Sequence, residues 1–150
     1  AEKAMSEAWQ EKLRQSGGEY GAATGRPRRV GPFDAVASRY GLKCQNADTI
    51  ALTKLDVLSN LEQIPVITGY KRGSIVISEF DPTDDLESYE PEIRMLPGWK
   101  TDISGCKTWR DLPEQAKAYV WELESLIDHE IQLISVGAQR EQYLLKGRWL

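Results

Sequence analysis

The sequence predicts an α/β protein, because helical and strand-like segments alternate along the chain. Apolar residues recur three and four positions apart in residues 1–16, 33–45 and 113–127, which is the period of a helix that packs on one face. β-branched runs such as Ile131 to Val136 have the composition of buried strands. The length of 150 residues suits one domain.

Composition and charge argue against several classes of protein. No apolar run approaches the roughly 20 residues that a membrane-spanning helix needs. A formal net charge of −4 argues against binding nucleic acid or a membrane through overall charge. Cys44 and Cys106 are far apart and the chain has one histidine, so the spacing of a zinc site is missing and no metal site is expected. We expect both cysteines to be reduced thiols in a cytoplasmic protein.

The first helix leads into a stretch rich in glycine and arginine. Residues 1–16 predict a helix that ends at Ser16-Gly17-Gly18. Gly21 to Arg29 follows, with the sequence Gly-Ala-Ala-Thr-Gly-Arg-Pro-Arg-Arg, and is here called the arginine loop. Arg26 and Arg28 carry rigid forks of N–H donors that match phosphate or carboxylate oxygens. These residues alone are typical either of an anion-binding loop or of a solvated basic turn.

A second helix and a short strand come next. Phe33 to about Gln45 predicts a helix, with Asp34 near its positive N-terminal end. Thr49 to Leu52 predicts a short buried strand, and Thr53 to Asp56 lies at the C-terminal edge of that strand. Ligands of open α/β sheets bind beyond the C-terminal ends of the strands, so Thr53 to Asp56 is a candidate binding segment.

The middle of the chain predicts a β-hairpin and an exposed connection. Pro65–Tyr70 and Ser74–Ser78 predict two strands, joined by a turn at Lys71-Arg72-Gly73. Glu79 to Glu92 is rich in acidic residues, which indicates a solvated segment. Ile93 to Leu96 then predicts another strand.

The last third predicts a loop, a helix and a closing strand. Trp99 and Trp109 flank a polar loop and are expected to anchor packing rather than to bind a ligand. Pro113 begins the clearest helix. His129 lies just after that helix, where a surface or capping role is expected. Tyr143 to Leu145 predicts a final short strand.

One long segment resembles a known family. Gly18 to Arg29, Gly-Glu-Tyr-Gly-Ala-Ala-Thr-Gly-Arg-Pro-Arg-Arg, is similar to the segment G-E-[FY]-G-A-T-T-G-R-P-R-R of adenylosuccinate synthetases. The likeness continues in the same order at Phe33–Ala37, Arg39–Tyr40, Leu52–Leu58, Leu96–Trp99 and Ile134–Gly137. Together these segments span nearly the whole chain.

The resemblance implies a fold, an activity and a set of partners. It implies the C-terminal part of a larger P-loop-NTPase-like mixed sheet with flanking helices. The family's enzymes join inosine monophosphate (IMP) to L-aspartate, using guanosine triphosphate (GTP) to activate the purine oxygen in purine biosynthesis. They use Mg²⁺ and work as cytoplasmic homodimers, without nucleic acid or membrane partners.

The resemblance also implies what this chain lacks. The family's N-terminal phosphate loop and its catalytic residues have no counterpart here, so no catalytic residue and no Mg²⁺ ligand is expected in this chain. The isolated chain is expected to be inactive.

The resemblance implies binding roles for two groups of residues. The loop that closes over aspartate matches Ala22, Ala23, Thr24, Gly25, Arg26, Pro27 and Arg28. Within it, Arg26 also matches an IMP contact and Arg28 a GTP contact. The guanine-recognition segments match Lys54, Leu55, Asp56, Ser135, Val136 and Gly137. A carboxylate at Asp56 can accept both guanine N1–H and the exocyclic amine, a donor pair that adenine does not present.

The chain departs from the family pattern in both regions. Ala23 stands where the first of two threonines is usual, and Val136, Ala138 and Gln139 replace the usual Thr, Pro and Asp. A guanine-nucleotide module without catalysis is therefore one alternative. A second is minor-groove binding of nucleic acid by Gly25-Arg26-Pro27, which the acidic composition and the flanking helices argue against.

Overall fold

The computed structural model describes residues 4–147, which form two compact units. The first unit contains the chain up to Gln45 together with Pro65–Met95, and the second contains Asn46–Ile64 together with the chain from Leu96 onward. Each unit combines helices with a mixed sheet, which confirms the predicted α/β class. The length of the chain suited one domain, but length alone does not show how contacts divide the chain into units.

Helix α1 of the first unit spans Glu7–Gly17. The Ser6 hydroxyl accepts the Trp9 N–H at 3.3 Å and so caps its first turn. Gly18 ends the helix with a φ of 61°, a conformation that costs glycine little. The end predicted at Ser16-Gly17-Gly18 is confirmed.

The sheet of the first unit is built around one long strand. Strand β1 (Phe33–Asp34) is parallel to β3 (Gln63–Arg72), and β4 (Ile75–Ile77) pairs antiparallel with β3 after a turn at Gly73. Strand β5 (Glu90–Pro97) also pairs with β3. The predicted hairpin is therefore confirmed, but its turn is at Gly73 and Ser74, because Lys71 and Arg72 still pair with β4.

Other boundaries in the first unit also differ from the prediction, and α1 begins at Glu7 rather than earlier in the predicted range of residues 1–16. Helix α2 spans Ala35–Gln45 and not Phe33 onward, because Phe33 and Asp34 pair with β3. The Asp34 carboxylate instead caps α2, accepting the Ala37 N–H at 3.0 Å. The acidic connection is also shorter than predicted, since β5 already begins at Glu90.

The sheet of the second unit has three strands. Strand β2 (Ile50–Leu52) is parallel to β6 (Ile131–Ser135), and β7 (Tyr143–Leu145) is antiparallel to β6. The strands are predicted correctly, but β2 is only partly buried because Ala51 is exposed. A short 3-10 turn at Leu55–Leu58 follows β2.

Helix α3 buries one apolar face in the second unit. It spans Glu114–Ile127, with Pro113 at its N-cap, as the sequence predicts. Its buried face consists of Ala116, Tyr119, Val120, Leu123 and Ile127. These side chains lie in a core with the buried apolar residues of β6 and β7.

Several single-residue predictions are met in the second unit. Trp99 is buried, and its indole N–H donates to the Ser59 hydroxyl at 3.2 Å. Trp109 packs edge-on against Trp121, with ring centroids 5.7 Å apart. The His129 ring hydrogen bonds the Ile127 carbonyl just after α3. Both tryptophans thus act as packing anchors, and His129 has a local structural role.

Two further properties concern the chain as described. Cys44 and Cys106 are both free thiols. None of the helices within residues 4–147 has the length and hydropathy required to cross a membrane.

Candidate functional site

The arginine loop of the first unit is a small hairpin. Tyr20 and Pro27 form an antiparallel bridge. The Gly21 N–H donates to the Arg26 carbonyl at 2.8 Å, and the Arg28 N–H donates to the Glu19 carbonyl at 2.9 Å. Backbone hydrogen bonds therefore give the loop a defined shape.

The tip of the hairpin is tightly turned. The Gly25 N–H donates to the Gly21 carbonyl at 2.8 Å, and Gly25 has a φ of 65°. A Cβ atom at Gly21 would lie 2.9 Å from the Thr24 hydroxyl oxygen, so this position favours glycine. The Thr24 hydroxyl accepts the Arg26 N–H at 3.3 Å. Residues 22–29 are all exposed, so their side chains are available to a ligand.

The two predicted anion-binding arginines differ in their partners. Arg28 donates to the Glu19 carboxylate across the hairpin at 3.1 Å. Arg26 has no carboxylate partner among residues 4–147 and is exposed. Of these two guanidiniums, that of Arg28 is already paired and that of Arg26 is open to an incoming anion.

Tyr20 connects the base of the loop to α1. Its hydroxyl donates to the Glu11 carboxylate at 2.8 Å. This bond, with that from Arg14, lowers the pKa of Glu11 and keeps its carboxylate ionised. Arg14 is buried and pairs with both Glu7 and Glu11. The hairpin thus follows a helix in which Glu7, Glu11 and Arg14 already have partners.

The candidate guanine segments of the second unit meet through one hydrogen bond. The Lys54 N–H donates to the Ser135 hydroxyl oxygen at 2.7 Å, across 81 sequence positions. Strands β2 and β6 are parallel neighbours, so the residues that follow their C-terminal ends come together. Lys54 has a φ of 61°, and Leu55 beside it is buried. This segment is therefore held in one conformation.

Asp56 is a half-buried carboxylate of the second unit. Its Oδ1 atom is buried and has no hydrogen-bond partner within the described residues. Burial raises the pKa of Asp56, and the nearby Asp102 charge acts in the same direction. The charge of Lys54 and the backbone N–H of Asp56 partly offset this increase in the pKa. A buried acceptor without a donor costs about 1–3 kcal/mol, and a ligand that brings N–H donors would satisfy it.

The segment after β6 is shaped by a residue that the sequence did not single out. The Val136 N–H donates to the Gln142 carbonyl at 2.9 Å, and Val136 itself is buried. A Cβ atom at Gly137 would lie 2.3 Å from the side-chain amide of Gln142. Nothing in a sequence pattern marks this glutamine, because its contacts depend on how the chain turns between β6 and β7.

No metal centre is found in the part of the chain that the structure describes. No three His, Cys, Asp or Glu side chains of residues 4–147 group closely enough to hold a metal ion.

Comparison with known proteins gives the family. A sequence model of adenylosuccinate synthetase matches residues 2–144. The adenylosuccinate synthetase of Geotalea daltonii is 46% identical over 142 residues, which cover 94% of this chain and 33% of that protein. The same enzyme of Geobacter sulfurreducens is 48% identical over 142 residues, covering 90% of this chain and 31% of that protein.

A solved structure agrees with these sequence matches. The fully ligated adenylosuccinate synthetase from Plasmodium falciparum superposes with a TM-score of 0.87 at 37% identity, covering 95% of this chain and 35% of that one. The chain thus spans about a third of the length of the relatives it matches. Since the family model matches residues 2–144, the chain belongs to the adenylosuccinate synthetase family.

Proposed function

We propose that the full-length protein is a GTP-dependent ligase that joins IMP and L-aspartate to form adenylosuccinate and GDP in purine biosynthesis. The observation that carries the proposal is the buried, unpartnered Asp56 Oδ1 beside the Lys54–Ser135 hydrogen bond. Family membership supports the same reaction.

The second unit supplies guanine recognition in this proposal. Asp56 accepts the guanine N1–H and exocyclic amine, and the stem of Lys54 lies along the base while its charge stays in water. Adenine has no such pair of donors and would leave the carboxylate unsatisfied. That loss is worth about 1–3 kcal/mol, which corresponds to about 5- to 150-fold preference for GTP over ATP.

The other residues of these segments hold the site together. The Ser135 hydroxyl fixes the Lys54 backbone, while Leu55 and Val136 are buried and anchor their segments. Gly137 brings backbone close to the base.

The first unit supplies the loop that closes over aspartate. Arg26, which is exposed and has no carboxylate partner within residues 4–147, binds the aspartate carboxylate and also reaches IMP. Arg28 contributes to GTP binding, and Pro27 restricts the directions in which the two arginines point. Ala22, Ala23, Thr24 and Gly25 form the tip that folds over the substrate.

The remaining features of the enzyme are proposed from the family. Mg²⁺ and the catalytic residues belong to parts of the protein outside this chain. The protein works as a homodimer in the cytoplasm.

The test measures adenylosuccinate formation by the full-length protein with GTP or ATP as phosphoryl donor. Asp56→Asn replaces one acceptor oxygen by an N–H₂ donor, so the preference for GTP in kcat/KM should fall by about 10-fold or more. Asp128→Asn is the matched control, because Asp128 is an exposed residue of the same unit at the end of α3 and asparagine tolerates its conformation.

Three outcomes separate the alternatives. GTP preference that survives Asp56→Asn contradicts the assignment of guanine recognition to Asp56. Full-length protein that binds GTP but forms no adenylosuccinate supports the guanine-nucleotide module without catalysis. Full-length protein that neither binds GTP nor forms adenylosuccinate contradicts the proposed function as a whole.

A further inference from the structure

Gln142 makes hydrogen bonds with both its backbone and its side chain. Its carbonyl accepts the Val136 N–H at 2.9 Å, and its N–H donates to the Gln139 carbonyl at 3.0 Å. Its side-chain Oε1 accepts the Gln139 N–H at 2.9 Å, and its Nε2 donates to the Ser104 carbonyl at 3.0 Å. One residue therefore closes the loop between β6 and β7 and fastens it to the segment before α3.

The lack of a side chain at Gly137 makes room for the Gln142 amide. A side chain at position 137 would collide with the Gln142 amide, since a Cβ atom would lie 2.3 Å from its carbon and oxygen. Glycine thus allows the amide to lie directly against the backbone of the segment after β6. The backbone of Val136 to Gln139 has little freedom while the Gln142 side chain is in place.

Gln142 also connects to the surroundings of Asp56. Its Nε2 holds Ser104, and the Ser104 N–H donates to the Asp102 carboxylate at 2.9 Å. The Asp102 charge is among the causes that raise the pKa of Asp56. The Gln142 side chain therefore fixes the Gln139 backbone and a segment whose charge acts on Asp56, while the Gln142 carbonyl holds the Val136 N–H.

We infer that Gln142 is a positioning residue for guanine recognition, which holds the backbone after β6 in the conformation that contacts the base. The inference rests on the proposed function, because it assigns the base to Asp56 and Ser135–Gly137. Gln142 acts through Val136, Gln139 and Ser104 and does not itself touch the nucleotide. Its removal should therefore weaken GTP binding selectively.

The experiment uses full-length protein with Gln142→Ala. This change removes two side-chain hydrogen bonds, so we expect the KM for GTP and the calorimetric Kd for GDP to rise about 10-fold. The kcat and the KM values for IMP and aspartate should stay within about 2-fold of wild type. Gln115→Ala is the matched control, because Gln115 is an exposed glutamine on α3 of the same unit.

Two further variants keep the inference testable if Gln142→Ala folds poorly. Gln142→Glu keeps the acceptor for the Gln139 N–H but sets a carboxylate oxygen against the Ser104 carbonyl, so its KM for GTP should rise at least as much as that of Gln142→Ala. Gly137→Ala displaces the Gln142 amide without changing Gln142, and should raise the KM for GTP to a similar extent.

The outcomes distinguish this inference from the proposed function. If Asp56→Asn weakens GTP binding while Gln142→Ala and Gly137→Ala do not, guanine recognition stands and the role of Gln142 is wrong. If Gln142→Ala raises the KM of all three substrates together, its role is general stability, which also overturns the inference. If wild type shows no preference for guanine over adenine nucleotides, the proposed function fails first.

Discussion

The arginine loop and the candidate guanine segments are built in opposite ways. The arginine loop is a contiguous hairpin, exposed from residue 22 to residue 29 and shaped by hydrogen bonds between near neighbours in sequence. The guanine segments lie 81 positions apart, and the Lys54–Ser135 hydrogen bond joins them. Their key acceptor, Asp56 Oδ1, is buried before any ligand arrives.

This difference indicates how each region would contribute to binding. An exposed loop held by local bonds can change its position when a substrate binds, so much of its interaction energy is offset by ordering. A buried acceptor already bears its desolvation cost and gains when a matching donor arrives. We therefore expect the loop to govern closure over aspartate and the guanine segments to govern selectivity between nucleotides.

The largest expected effect tests the role of the arginine loop in this comparison. Arg26→Leu in the full-length protein removes a guanidinium that has no carboxylate partner among residues 4–147, so only the substrate contact is lost. We expect kcat/KM for aspartate to fall about 30-fold or more, since truncating one partner of a charged pair costs about 2–5 kcal/mol. Steady-state kinetics with aspartate varied check this, and the melting temperature should not change.

Arg26→Lys sharpens the same test. Lysine keeps the charge but loses the rigid fork, so it should recover only part of the activity. Unchanged activity in Arg26→Leu would contradict the substrate role of Arg26.

A second prediction concerns the link between the guanine segments. Ser135→Ala removes the acceptor of the Lys54 N–H, which leaves Lys54 in its left-handed conformation without that support. We expect the KM for GTP to rise about 5- to 10-fold, with the KM for aspartate unchanged. Ser125→Ala is a suitable control, because Ser125 is an exposed serine on α3. A KM for GTP equal to that of wild type would show that the link is dispensable.

The sequence predicted contiguous features of the molecule better than long-range ones. Helix α3 was predictable because Pro113 and a regular apolar spacing both mark it. Strand β1 was not, because two residues carry no periodicity and only the pairing of Phe33 and Asp34 with β3 defines it. Local pattern is thus sufficient where neighbours in sequence are also neighbours in space.

The same limit applies to the candidate sites. Composition alone indicated Arg26 and Arg28. That Arg28 is paired while Arg26 is open depends on Glu19, which lies across the hairpin. Resemblance indicated Asp56, but its unpartnered oxygen becomes visible only when the surrounding chain is in place. Gln142 has no sequence signal at all, since its hydrogen bonds reach from Ser104 to Gln139.

A smaller effect is expected at the base of the arginine loop. Glu19→Gln weakens the pair with Arg28, whose side chain is 58% exposed. Exposed pairs contribute about 0.2–1 kcal/mol, so the KM for GTP should rise by no more than about 5-fold. The difference between wild type and variant should shrink in high salt, because salt screens the pair. A lower KM for GTP in the variant would mean that Glu19 competes with the nucleotide for Arg28.

The smallest expected effect is on the melting temperature of Asp56→Asn, which should change in a different direction from its preference for GTP. Burial raises the pKa of Asp56 above its ordinary value of 3.8, so the folded protein holds this proton more tightly than the unfolded chain does. The ionised carboxylate therefore destabilises the folded state as the pH rises above 3.8, and this destabilisation is present at pH 7. Asp56→Asn removes the charge, so without nucleotide the variant should melt about 1–2 °C higher than wild type at pH 7.

The pH dependence of that gain identifies its cause. The gap in melting temperature should narrow as the pH falls from 7 toward 4, because wild-type Asp56 then takes up its proton. Asp128→Asn, at an exposed position, should show no gain at either pH. A gain that does not depend on pH would point to packing rather than charge. The predicted combination, higher stability with lower preference for GTP, is expected only if the buried carboxylate is kept for its ligand.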